Sequence, residues 1–97
     1  MLRVVLADDE KKILLLLQKL IDWERLGYEI VGTANDGLRA LELVRELHPD
    51  LLITDVRMPG CSGIELIQQA KELQPDLHFI IISGYRQFEY AQNALKY

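Results

Sequence analysis

The chain has 97 residues, 49% of them hydrophobic, and its 11 Lys and Arg against 15 Asp and Glu give a formal net charge of −4. That length supports one domain with a single modest core, and an acidic balance without a Lys/Arg cluster excludes a chain that binds DNA by itself. The longest apolar run, Ile13 to Leu17, is far below the roughly 20 residues of a membrane span, and one cysteine, Cys61, leaves no internal disulfide, so a cytoplasmic location is expected.

Arg3 to Ala7 reads as a buried strand that runs directly into Asp8, Asp9 and Glu10. Behind those acids, Ile13, Leu16, Leu17, Leu20 and Ile21 recur at three- and four-residue steps, with Lys12, Gln18, Lys19 and Asp22 between them, as in an amphipathic helix. Trp23 is expected at the end of that helix as a packing anchor. Tyr28 to Ala34 is the second strand. The second helix carries Leu38, Leu41, Val44 and Leu47 on one stripe and Arg39, Glu42, Arg45 and Glu46 on the wet face, with Pro49 after its end. Asp50 to Thr54 is the third strand and delivers Asp55. The third helix opens on Ser62-Gly63-Ile64-Glu65, a Ser-x-x-Glu capping box, carries Ile64, Ile67, Ala70 and Leu73, and stops before Pro75. Leu77 to Ile82 is the fourth strand, ending at Ser83 and Gly84, and Gln87 to Tyr97 is the fourth helix, with Phe88, Ala91 and Leu95.

Apolar strands alternating with helices predict an α/β fold, a doubly wound parallel sheet, because parallel neighbours need a crossover and the crossover is usually helical. In such sheets ligands bind beyond the carboxyl ends of the strands, where the strand order reverses. In the flavodoxin-like order the first and third strands are neighbours, about 4.8 Å apart. Asp8, Asp9 and Asp55 then crowd one crevice. Such a cluster repels itself, and a hard divalent cation with oxygen ligands relieves the repulsion, which makes Mg²⁺ the expected ion and phosphoryl chemistry the expected use.

Asp55 suits a nucleophile that forms an acyl phosphate. The loop after it, Val56-Arg57-Met58-Pro59-Gly60-Cys61-Ser62-Gly63, holds a proline and two glycines and leaves open space beside the carboxylate. The backbone carbonyl of Arg57 is a candidate metal ligand, and Ser83 with Gly84 offers a hydroxyl and an unobstructed amide for a phosphoryl oxygen. Plainer roles compete with these. Asp8 or Asp9, taken alone, serves equally well as a cap of the first helix, and Ser83 taken alone is more often an N-cap than a ligand. Asp55 resists that reading because no helix starts right after it. His48 and His78 fall at element ends away from this rim, and Cys61 sits in a turn with no histidine placed to activate it.

Together, Asp8-Asp9-Glu10 after VVLA, the segment LLITDVRMPGCSGIEL around Asp55 and IIISGY around Ser83 resemble a response-regulator receiver (CheY-like) domain of bacterial two-component systems. The resemblance covers the whole chain. It implies that Asp55 is the phosphoacceptor, that Asp8, Asp9, Asp55 and the Arg57 carbonyl hold Mg²⁺, and that Ser83 is the switch hydroxyl. It also implies a sensor histidine kinase as partner. IDWERLGYEIVGTANDG and SGYRQFEYAQNALKY are similar to receivers that precede AraC-type DNA-binding domains, so contact with DNA is expected only through such an effector domain.

Receivers usually continue into a fifth strand and helix that supply an aromatic switch residue and a phosphoryl-contacting lysine, and no residue of this sequence matches that lysine. The expectation is strand order 2-1-3-4 in a receiver lacking its fifth βα unit. Its fourth strand would then be an apolar edge prone to self-association. A rival from another class, a Mg²⁺-dependent aspartyl-phosphate phosphatase, usually has a second aspartate two residues after the nucleophile; here that position is Arg57.

Overall fold

The computed structural model describes residues 1–56, 58 and 62–82. In chain order they form β1 (Leu2–Ala7), α1 (Lys11–Leu20), α2 (Trp23–Leu26), β2 (Tyr28–Ala34), α3 (Gly37–Leu47), β3 (Leu51–Asp55), α4 (Gly63–Leu73) and β4 (His78–Ile82). All pairings are parallel and the strand order is β2-β1-β3-β4, as the alternation of strands and helices predicts. Gln87 to Tyr97, expected as a further helix, lies outside the described residues.

Side chains of β1 alternate between two cores because successive residues of a strand point to opposite faces. Val4 and Leu6, with Leu51 and Ile53 of β3, pack against Leu14, Leu17, Ile21 and Trp23. Val5 and Ala7, with Leu52, pack on the other face against Ala40, Leu43 and Val44 of α3 and Leu66 and Ala70 of α4. Both central strands are therefore sealed on two sides. In the outer strand β2 the register shifts by one residue opposite Val4 and Val5, a bulge that still brings Ala34 beside Ala7.

The helix stripes agree with the sequence expectation in part: Leu17, Ile21, Val44, Ile67 and Ala70 are buried as expected, and other positions differ. In α1 the buried residues are Leu14 and Leu17, with Ile21 just beyond, while Leu16 and Leu20 are exposed. In α3 Leu38 is exposed and Ala40 and Leu43 are buried; in α4 Ile64 and Leu73 are exposed and Leu66, Ile67 and Ala70 are buried. Each helix has more apolar residues than one stripe needs, so spacing alone fits two faces. The choice falls to the sheet, which accepts small Ala40 and Ala70 at closest approach.

Trp23 does not end α1. It opens the one-turn helix α2, whose Asp22 side chain accepts the N–H of Arg25 and whose Gly27 adopts a left-handed φ of 86° to close it. Ser62 caps α4 as the capping box predicts, its Oγ accepting the Glu65 N–H at 3.2 Å. Asp36 caps α3 in the same way, accepting from Arg39 at 2.7 Å. His48 and His78 are both exposed, in keeping with the plain reading of each.

Candidate functional site

β1 and β3 run side by side as far as the Ala7–Thr54 pair, so the residues that follow emerge together at the carboxyl edge of the sheet. Asp8 follows β1 directly, and its N–H extends the pairing to the Ala34 carbonyl at 3.0 Å. Asp55 closes β3 opposite Ile82 of β4. One carboxylate oxygen from each of Asp8, Asp9 and Asp55 lies within 4.8 Å of the others. The three side chains differ in exposure: Asp8 is buried, Asp55 half-buried and Asp9 open to solvent.

Neither Asp8 nor Asp9 caps α1. The capping position belongs to Glu10, which makes no side-chain cap bond, and Asp8 instead accepts the Glu10 N–H on Oδ1 at 2.9 Å in a local turn. That bond favours the ionised carboxylate, yet burial outweighs it. Desolvation, assisted by the charges of Asp55 and Asp9, pushes the Asp8 carboxyl up to about 6. A cation placed among the three oxygens would remove the repulsion and restore the charge of Asp8. An all-carboxylate donor set of this size fits a hard divalent ion such as Mg²⁺, with waters and phosphate oxygens completing its shell.

The Asp55 carboxylate is held by the backbone. Its Oδ1 accepts the Val56 N–H at 2.8 Å, and α4 does not begin until Gly63, so Asp55 caps no helix. Beneath it lies Thr54, which is fully buried and donates its hydroxyl to the Asp55 carbonyl oxygen at 3.0 Å. Met58, also buried, brings its sulfur to 3.9 Å from the same hydroxyl. Thr54 carries no signal in the sequence, because threonine in a strand fits ordinary β-propensity. Asp8, Asp9 and Asp55 are thus brought together as the acid cluster predicts. Arg57, Ser83 and Gly84, the other candidate residues, and Cys61 lie outside the described residues.

A model of the response regulator receiver domain matches residues 4–97. The chain is 43% identical over its full length to an uncharacterized transcriptional regulatory protein of Bacillus subtilis, YesN, of which it covers 26%. It is 37% identical to the transcriptional regulatory protein HptR of Staphylococcus aureus and covers 38% of it. The chain therefore spans about a quarter to two fifths of the length of these curated relatives.

Among solved structures, the REC domain of AraT, a response regulator from Geobacillus stearothermophilus, superposes with a TM-score of 0.82 at 40% identity, over 98% of this chain and 74% of that one. A two component transcriptional regulator AraC from Clostridium phytofermentans gives a TM-score of 0.85 at 35% identity, over 99% and 90% of the two chains.

Proposed function

Since this chain belongs to the response regulator receiver family, we propose that it is a phospho-accepting module in which Asp55 takes a phosphoryl group from the phosphohistidine of a sensor kinase. The observation that carries this reading is the meeting of Asp8, Asp9 and Asp55 at one sheet edge, with Asp55 on the strand end and outside any helix cap. In the transfer an Asp55 oxygen attacks phosphorus in line, the P–O bond forms, and the P–N bond to the kinase imidazole breaks. Val56 orients the nucleophile through its N–H, and Thr54 fixes the peptide behind it.

Asp8, Asp9 and Asp55 would hold Mg²⁺, with the Arg57 carbonyl as a further ligand. The ion supplies charge neutralisation for the phosphoryl oxygens. Ser83 and Gly84 are assigned to phosphoryl binding on the family resemblance. The chain assists its own modification and turns over no metabolite, a signalling role suited to the cytoplasm. Transcriptional output, through a DNA-binding domain outside these 97 residues, is supported by the names of the relatives. Among the described residues β4 pairs only with β3 and leaves Phe79 exposed, which supports self-association of this 97-residue piece along that edge.

The test is intact mass after incubation with acetyl phosphate and Mg²⁺, beside Asp55→Asn. One added phosphoryl group that needs both the ion and Asp55 is the expected result. Labelling that survives Asp55→Asn, or catalytic release of phosphate from simple esters, overturns it.

A further inference from the structure

At the start of α4, Gly63 lies directly against the peptide that carries the Asp55 carboxylate. A Cβ built on Gly63 would stand 2.1 Å from the Asp55 carbonyl oxygen, 3.0 Å from the Asp55 carbonyl carbon and 3.1 Å from the Val56 Cα. All three are backbone atoms, so no flexible side chain can swing aside. The Gly63 N–H also donates to the Val56 carbonyl at 2.9 Å, which ties the first turn of α4 to the chain leaving β3. A methyl group here must force the two segments apart by roughly 1 Å, a displacement large enough to matter at a reacting centre.

Which segment yields follows from how each is fixed. Leu66 and Ala70 anchor α4 with no exposed surface, and Ser62 caps it. β1 pairs with β3 only as far as Thr54, so the peptide after Asp55 is bonded to one neighbouring strand, through Val56 N–H to Ile82 at 3.3 Å. The strand exit is the weaker side. We propose that Gly63 is a positioning residue for Asp55: its missing side chain lets the α4 N-terminus seat the Asp55–Val56 peptide, and so sets where the carboxylate points. The Asp55 carbonyl that Gly63 touches is the same one that accepts the Thr54 hydroxyl, so pushing on it also disturbs that bond. This inference rests on Asp55 being the phosphoacceptor and adds to that reading the residue that aims it.

The experiment compares wild type, Gly63→Ala and Leu66→Ala, the last losing core packing in α4 while keeping glycine at position 63. Acetyl phosphate labelling with Mg²⁺ is measured per folded molecule, the folded fraction coming from circular dichroism, and amide NMR spectra are recorded without phosphodonor. Gly63→Ala is expected to lose at least about tenfold in labelling rate and to shift the Asp55 and Val56 amides. Leu66→Ala is expected to lose stability while its folded fraction labels at the wild-type rate. Equal labelling rates in the two variants, or unshifted Asp55 and Val56 amides in Gly63→Ala, overturn the proposal. Failure of Gly63→Ala to fold even in trimethylamine N-oxide, which favours compact states, overturns it too, because the residue would then serve the fold. A wild type that does not label overturns the phosphoacceptor reading instead, while the amide shifts still decide whether Gly63 positions Asp55.

Discussion

The indole Nε1 of Trp23 donates to the carbonyl oxygen of Leu17 at 2.9 Å, across the corner between α1 and α2. Leu17 carries one of the last four carbonyls of α1, the groups a helix leaves without partners of its own. The ring also meets Tyr28 edge to face, with centroids 6.4 Å apart, so one side chain joins α1, α2 and the start of β2. Trp23→Phe keeps most of the apolar bulk and loses the donor, and should cost about 1–3 kcal/mol. Trp23→Ala, which also opens a cavity, should cost about 3–5 kcal/mol. Urea unfolding followed by circular dichroism checks both, and a Trp23→Phe protein as stable as wild type would show that the indole bond contributes nothing.

The buried face of α1 yields a second prediction. Leu17 is 2% exposed whereas Leu20, three positions on, is 57% exposed. Leu17→Ala should therefore lose about 2–5 kcal/mol and Leu20→Ala less than about 0.5 kcal/mol. Comparable losses at the two positions, measured by chemical unfolding, would contradict this packing of α1.

Asp8 makes stability depend on pH in a specific direction. Its carboxyl sits at about 6 in the folded protein against 3.8 for the unperturbed group, so between those values the native state holds a proton that the unfolded chain has released. Stability contributed by Asp8 is fully present below about pH 4 and is lost as pH rises to about 6, by up to about 3 kcal/mol. Asp8→Asn removes that loss. The expected outcome is a variant more stable than wild type at neutral pH, with the gap closing as pH falls toward 4. A gap that stays constant across the range would mean that Asp8 is not strained in the folded protein.

Mg²⁺ should reverse the strain at neutral pH. At an ion concentration tenfold above the dissociation constant, binding to the folded state alone adds about 1.4 kcal/mol. Thermal unfolding with and without MgCl₂ should show this gain in wild type and a much smaller one in Asp8→Asn, Asp9→Asn and Asp55→Asn. An equal gain in all four proteins would place the ion elsewhere.

Much of the architecture was legible in the residues. The second strand, Tyr28–Ala34, falls where its sequence says, and Ser62 and Pro75 bracket α4 because capping and ring closure act locally. Asp8, Asp9 and Asp55 were legible as a group because strand order turns sequence-distant residues into neighbours. The buried stripes of α1, α3 and α4 were legible in part, at Leu17, Val44 and Ala70 but not at Leu14, Leu43 and Leu66, since leucine-rich helices offer two faces and only tertiary packing selects one. α2 escaped notice because one turn has no periodicity. Thr54 carries no pattern of its own and Gly63 is legible only as a glycine of the loop and capping box, so three-dimensional contact alone reveals what they touch.

The register shift in β2 divides that strand's loyalties. Tyr28 and Ile30 belong to the core beneath α1, whereas Val31 and Ala34 belong to the core beneath α3, and a side chain at Gly32 would run into Leu43 and Leu47 of α3. A regular strand would have kept residues 28, 30, 32 and 34 on one face. The single surplus residue acts as a phase inverter, letting one outer strand serve the two halves of the molecule in turn. Deleting Val31 would leave Ile30, Gly32, Thr33 and Ala34 opposite Val4, Val5, Leu6 and Ala7 in regular alternation, so Ala34 would stay on the side of Ala7 and its carbonyl would still meet the amide of Asp8. The bulge thus takes up one residue of chain without moving the Ala34 carbonyl away from the acid cluster it supports.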